Sequence, residues 1–190
     1  MNREPRYFFP KPYADFVQKL RVAGGFVLLV AFALFAQPSA RSLAIGLPVS
    51  IWGLLLRGWA AGHLAKDREL AISGPYAFMR NPLYAGTLLT AFGLLVAARN
   101  LWLALLFMLV FVLVYLPAIE LEEQHLREIF PQYDSYAAHV RRFVPGRAYG
   151  SGAAAFSRAL YLKNEEYKAA LGWLLAAAWL LWRCGSPRLL

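Results

Sequence analysis

Hydrophobic positions in this chain do not alternate with polar ones. They come in long uncharged blocks separated by short polar stretches. Five blocks lack Asp, Glu, Lys and Arg: Val22–Ala40 with 19 residues, Ser42–Leu56 with 15, Pro82–Ala98 with 17, Leu101–Ile119 with 19 and Ala169–Trp182 with 14. A helix crossing a bilayer needs roughly 20 apolar residues, with ~17–25 the usual range. The first, third and fourth blocks meet that length. The second meets it only by running through Arg57 to about Ala65. The fifth predicts either a short crossing or a helix lying in the interface. The pattern predicts an all-α integral membrane bundle with four core crossing helices, a short fifth C-terminal helix of either kind, and amphipathic helices on the polar side. Residues 1–21 read as an interfacial arm, 22–145 as the membrane core, and 146–190 as a connector and hydrophobic helix.

Two segments refine this picture. The arm MNREPRYFFPKPYADFVQKLR is long for the charged region of a signal peptide, and no small-x-small cleavage site follows the apolar run. It reads as a retained arm whose aromatics suit the membrane interface. In residues 120–145, Leu126, Ile129, Phe130, Tyr133, Tyr136, Val140, Phe143 and Val144 recur at three- and four-residue spacing, opposite charged positions. Pro131 divides this stretch into two helical pieces.

Composition agrees. Hydrophobic residues make up 59% and charged residues 16%, against ~45–50% and ~25% in soluble domains. That excludes a disordered chain, a collagen-like repeat and most water-soluble enzymes. The net charge of +9 would suggest a nucleic-acid surface in a soluble protein. Here the charges lie between apolar runs, so topology explains them and no nucleic-acid partner is expected. The turns QPSARS and AARN are too short for anything but helical hairpins, which puts the polar stretches on one side. That side holds sixteen of the twenty Lys and Arg and all eleven acidic residues. The positive-inside rule makes it cytoplasmic, with the N-terminus inside. Cys184 is the single cysteine, and His63, His125 and His139 lack metal-ligand spacing, so no metal site is expected.

Three elements carry candidate chemistry. The first is SGPYAFMRNPLYAG, residues 73–86. Asn81-Pro82 predicts a helix start, with Asn as N-cap and Pro at the first helical position. Arg80 beside the positive end of that helix could bind a carboxylate or phosphate; equally, the prolines are punctuation and Arg80 an interfacial anchor. The second is AIELEEQHL, where Glu120, Glu122 and Glu123 follow Pro117. Pro117 can kink its helix and free carbonyls. The glutamates could hold ribose hydroxyls, an ammonium or a sulfonium, or form a solvated helix start. The third is Arg57, which either lines a pocket or snorkels to the interface. Gly58 and Gly62 read as a close-packing pair. Arg141 and Arg142 are placed to meet lipid phosphate.

The stretch GPYAFMRNPLYAG, followed by EEQHL at 122–126 and FPQYDSYAAHVRRFVP at 130–145, resembles the isoprenylcysteine carboxyl methyltransferase and phospholipid methyltransferase superfamily. The likeness runs from about Leu54 to Pro145. It implies transfer of a methyl group from S-adenosylmethionine to a prenyl, lipid or polyketide-like acceptor at the cytoplasmic face. Residue by residue, it implies cofactor contacts at Tyr76, Arg80, Asn81, Pro82, Tyr84, Gly86, Glu122 and Glu123. It implies catalytic roles for Arg80, Tyr84, Glu122 and Glu123, and acceptor contacts at Arg57, Arg141 and Arg142. Asn81 departs from the histidine of the eukaryotic enzymes and cannot titrate near neutrality; bacterial relatives tolerate it. Two other readings remain open: an NADPH-dependent membrane reductase of the sterol reductase type, which usually has a longer chain, and a non-enzymatic membrane scaffold.

The charge asymmetry makes a direct prediction. A cysteine placed at Ser73 is labelled by impermeant thiol reagents only after the cytoplasmic side is opened. Labelling from the periplasm of intact cells would overturn this topology.

Overall fold

The computed structural model describes residues 8–150 and 154–186. Among them the chain is helical throughout, with a single isolated bridge between Met79 and Arg141. The helices are α1 (Lys11–Phe35), α2 (Ala40–Ala61), α3 (Pro82–Ala98), α4 (Leu101–Val110), α5 (Leu116–Ile129), α6 (Tyr133–His139), α7 (Arg158–Lys163) and α8 (Tyr167–Gly185). A 3₁₀ turn covers Gly74–Ala77, and a π-helical turn, Phe111–Tyr115, joins α4 to α5.

Two helices are long and apolar enough to cross a membrane: Ala40–Ala61 and the continuous Leu101–Ile129. In each, only 28% of the apolar window is buried. Trp52, Leu55, Trp102 and Leu109 are among the side chains left outside. Apolar surface on that scale belongs in lipid rather than water. The apolar parts of α1 and α3, Val22–Phe35 and Pro82–Ala98, are shorter. The expected first span therefore ends five residues early, because Ala36 turns extended ahead of Gln37-Pro38. The second stops at Ala61 rather than Ala65, and the fourth continues ten residues beyond Ile119.

The structure divides into two compact units. The first joins the chain up to Ala36 with Asn100–Pro131. Within it, Pro117 has the expected consequence. Proline has no N–H and its ring crowds the carbonyl four residues earlier, here that of Leu113. The helix widens into its π turn over Phe111–Tyr115, and the Tyr13 hydroxyl donates to the Leu113 carbonyl at 2.8 Å. Tyr13, expected at the membrane interface, replaces the missing donor. Three residues after Pro117, the Glu120 carboxylate accepts the backbone N–H groups of Phe8 and Phe9 at 2.8 and 3.1 Å. Asn100 caps α4, accepting from Trp102 and Leu103, and its amide donates to the Phe35 carbonyl at 2.8 Å.

The second unit comprises Gln37–Arg99 and the chain from Gln132 onward. A reciprocal capping box between Ser39 and Ser42 starts α2. Helices α2 and α3 run antiparallel at backbone contact. Gly46 faces Gly93, and Gly53 faces Gly86 and Thr90. A Cβ on any of these four glycines would come within 3 Å of the opposite helix. Small residues at such a seam let two backbones approach, which drives helix association where no hydrophobic force acts between helices. Ser42 extends the seam, donating to the Ala97 carbonyl at 2.9 Å. The pair expected at the close contact, Gly58 and Gly62, faces Tyr161 and Phe156 of the C-terminal region instead.

Leucine at Gly53 or Gly93 should separate α2 from α3 and cost more than the ~1–3 kcal/mol usual for overpacking, because the clash is with backbone. Leucine at Gly25, with nothing within 4 Å, should be tolerated. Thermal unfolding of detergent-purified variants compares them.

Candidate active site

The GPYAFMRNP stretch enters the second unit as a tight loop. Gly74 has φ +55°, a left-handed conformation that favours glycine, and a Cβ there would strike the His63 ring. His63 is buried, in hydrogen-bond contact with Ser73 at 3.1 Å, and burial lowers its pKa from the ordinary value of 6.5. Pro75, Tyr76 and Ala77 are buried in the 3₁₀ turn that follows.

The segment 133–149 closes over this loop. Arg80 N–H donates to the Arg141 carbonyl at 2.9 Å, and Asn81 N–H to the Arg142 carbonyl at 3.1 Å. In return, Gly146 N–H donates to the Phe78 carbonyl and Tyr149 N–H to the Ala77 carbonyl, both at 2.9 Å. The buried Tyr136 hydroxyl donates to the Tyr76 carbonyl at 2.8 Å. The Tyr136 ring meets Tyr133 and Tyr149 edge-on, with centroids 6.0 and 5.4 Å apart. Two stretches separated by some fifty residues are thus one hydrogen-bonded structure at the start of α3.

Each expected site residue has a defined place. Arg80 is half-buried and donates through Nη1 to the Ala137 carbonyl at 2.9 Å. Asn81 occupies the N-cap position, as predicted, but its side chain makes no capping bond. Its φ of −124° and ψ of 58° depart from the extended N-cap geometry, and the bond to Arg142 fixes them. Pro82 is the buried first residue of α3, and Tyr84 is half-buried one turn in. Gly86 lies in the helix seam, against Gly53 and Arg57. Arg141 is exposed and Arg142 half-buried, and both lend their carbonyls to the loop. Glu122 and Glu123 belong to the first unit, on α5. Glu122 is exposed, whereas Glu123 is 2% exposed.

Arg57 is part of an ion pair with a partner far along the chain. Its Nε and Nη2 bind the two carboxylate oxygens of Glu166 at 2.6 and 2.9 Å. Its Nη1 donates to the Thr87 hydroxyl and, at 3.5 Å, to the Leu83 carbonyl in the first turn of α3. Glu166 precedes α8 and is buried. The C-terminal region reaches α2 at three further points. Asn164 donates to the Ala61 and Leu64 carbonyls at the end of α2, at 2.9 and 2.8 Å. Ser157 N–H donates to the Gly62 carbonyl at 2.9 Å, and Trp173 Nε1 to the Ser50 hydroxyl at 2.7 Å. Among the described residues, no three His, Cys, Asp or Glu side chains are grouped to hold a metal ion.

The profile of the family described as phospholipid methyltransferase matches residues 26–133, more than half of the chain. The chain belongs to the phospholipid methyltransferase family. Membership assigns it to the membrane methyltransferases. Similar curated proteins carry other names. The nickel-cobalt-cadmium resistance protein NccN of Alcaligenes xylosoxydans xylosoxydans is 28% identical over 158 residues, covering 76% of this chain and 74% of the relative. The cobalt-zinc-cadmium resistance protein CzcN of Cupriavidus metallidurans is 34% identical over 91 residues, covering 47% of this chain and 42% of the relative. No solved structure matches.

The phospholipid methyltransferase match ends at Tyr133, so it contains the loop but not the 136–149 segment that closes over it. It also omits Glu166 and Asn164. The sequence offered one signal for that pair: an arginine inside an apolar block needs a counter-charge, and Glu165-Glu166 is the acidic pair that opens the last hydrophobic helix.

Glu166→Gln leaves the mostly buried Arg57 without its counter-charge. It should lower stability by about 1.5–3 kcal/mol, as for a hydrogen bond to a charged group. The double variant Arg57→Leu/Glu166→Leu should recover part of that loss, since no buried charge is left over. A double-mutant cycle on thermal unfolding measures both.

Proposed function

We propose that this protein transfers a methyl group from S-adenosylmethionine to a lipophilic acceptor (a lipid, prenylated or polyketide-like molecule) at the cytoplasmic face of a bacterial inner membrane. The observation that carries this reading is the bonding of Tyr76–Asn81 to 136–149 at the first turn of α3, within a chain of this family. An enzyme that aligns a flexible acceptor with a methyl donor needs a fixed loop at the reaction site.

The donor set suits the cofactor. Arg80 is a cation at a helix start and suits the aminoacyl carboxylate or an acceptor anion. Buried Glu123 suits the amine or the ribose hydroxyls, with Glu122 beside it. Asn81 and Tyr76 offer neutral hydrogen-bonding groups, and Pro82 and Gly86 set the backbone they hang on. Bound S-adenosylmethionine would supply an already activated methyl group. The chain's own work is then to orient the acceptor and exclude water. A carboxylate acceptor needs no base; for a hydroxyl, phenol or ammonium, Tyr84, Glu122 or Glu123 takes the proton. Arg141 and Arg142 would meet an acceptor's phosphate. Arg57 acts on this site from behind, through Thr87 and Leu83. The names of the relatives suggest metal resistance as the setting, entered here through modification of a membrane component.

Calorimetric titration of the detergent-purified protein with S-adenosylhomocysteine and with NADPH tests this reading. Binding of the former supports the methyltransferase; binding of NADPH alone would replace it with a reductase. Glu123→Gln should weaken cofactor binding by about 1.5–3 kcal/mol, and more than the exposed Glu122→Gln. Arg80→Ala should impair binding of cofactor or acceptor with the protein still folded. Native affinity in both glutamine variants would remove the glutamates from the cofactor site.

A further inference from the structure

Between α2 and the C-terminal region, the second unit contains an apolar groove of about 550 Å³, within the ~300–1,000 Å³ of ligand pockets. Ile51, Leu54, Leu55, Gly58 and Trp59 of α2 form one wall, and Phe156, Tyr161, Glu166 and Ala170 form the other. Glu166 is its single charged lining group and is already neutralised by Arg57. From Ile51 to Trp59 a helix rises about 12 Å, close to the ~15 Å of hydrocarbon in one leaflet. The groove therefore runs along the half of α2 nearest the Gly74–Asn81 loop.

We propose that this groove holds one acyl chain of an anionic phospholipid, whose phosphate rests on Arg158 of α7. The chain comes from the medium: α2 is apolar and long enough to cross a bilayer, and an apolar trough open to hydrocarbon holds no water. Charge selects the headgroup. Trp59 and Tyr161, ring types that settle at the membrane interface, stand at the polar end of the groove. Arg158 lies three residues before Tyr161, on the same face of α7. Arg158 is exposed and forms no ion pair among the described residues. The neighbouring carboxylates are engaged elsewhere, Glu166 with Arg57 and Glu165 with Lys168 at 2.7 Å. The polar end of the groove is therefore cationic, as anionic-lipid sites are. This site does not depend on the methyl-transfer reading, although its Glu166 wall connects through Arg57 to the Leu83 carbonyl of α3.

Native mass spectrometry of the full chain in detergent tests the site with three probes: dioleoylphosphatidylglycerol, dioleoylphosphatidylcholine and acyl-free glycerophosphoglycerol. The wild type should bind one phosphatidylglycerol about ten-fold more tightly than phosphatidylcholine, and the acyl-free headgroup negligibly. Arg158→Gln should bring the two lipids to equal affinity. Gly58→Leu should fill the groove and weaken both at least ten-fold. Leu55→Trp, at a more exposed position on its rim, serves if Gly58→Leu does not fold. Equal binding of the two lipids by the wild type would overturn the proposal. So would unchanged lipid binding in the filled groove, headgroup binding without acyl chains, or a protein dimer in place of lipid.

Discussion

The backbone contact between α2 and α3 is the constraint on which the second unit depends. Gly46 and Gly53 stand seven residues apart on one helix, as do Gly86 and Gly93 on the other, and the four interlock because none has a side chain. Within a bilayer the alternative to this contact is hydrocarbon, which is as apolar as leucine, so dispersion at close range must hold the helices together. The approach has a chemical consequence. It brings the Arg57 side chain across the seam to Leu83 in the first turn of α3 and Thr87 in the second. Gly86 belongs to the GPYAFMRNPLYAG motif, and its place is in this seam. A motif glycine can serve a reaction site by letting a neighbouring helix come near.

Arg57 also shows how a charge is kept in an apolar segment. A lone guanidinium there would be costly. Glu166 answers it with a bidentate geometry, and the remaining donors go to a hydroxyl and a carbonyl. The pair couples three helices, so the region after the family match is structurally continuous with it. Asn164 strengthens that continuity by donating to the Ala61 carbonyl at the end of α2 and to the Leu64 carbonyl just after it.

The first unit solves a related problem at Pro117. A proline within an apolar helix leaves a carbonyl without a donor, and lipid offers none. The π turn and the Tyr13 hydroxyl together absorb it. Glu120, one turn further on, holds the backbone ahead of α1. Of three neighbouring glutamates, one is therefore committed to the chain itself, one is exposed and one is buried. Equal residue types in one short stretch acquire different chemistry from their position on the helix.

The sequence by itself determined the helical class, the membrane setting, the start of α3 at Pro82, the presence of short turns before α2 and α4, the break at Pro131 and the family. Each of these is local: apolar block length, an N-terminal proline, a short polar turn, or a motif. It also singled out Arg57, as a pocket residue or a snorkelling one, and Pro117, as a kink that frees carbonyls. Only the tertiary structure decided who the partners are. Glu166 lies 109 residues from Arg57, and Tyr13 lies 100 residues from Leu113. Nothing in either local stretch encodes the other. The same holds for the glycine seam: each helix has two glycines seven residues apart, but which helix they face is decided only by the fold. It holds for Asn81 too, a good capping residue by type. The bond from its N–H to Arg142 sets its backbone and turns it from that role.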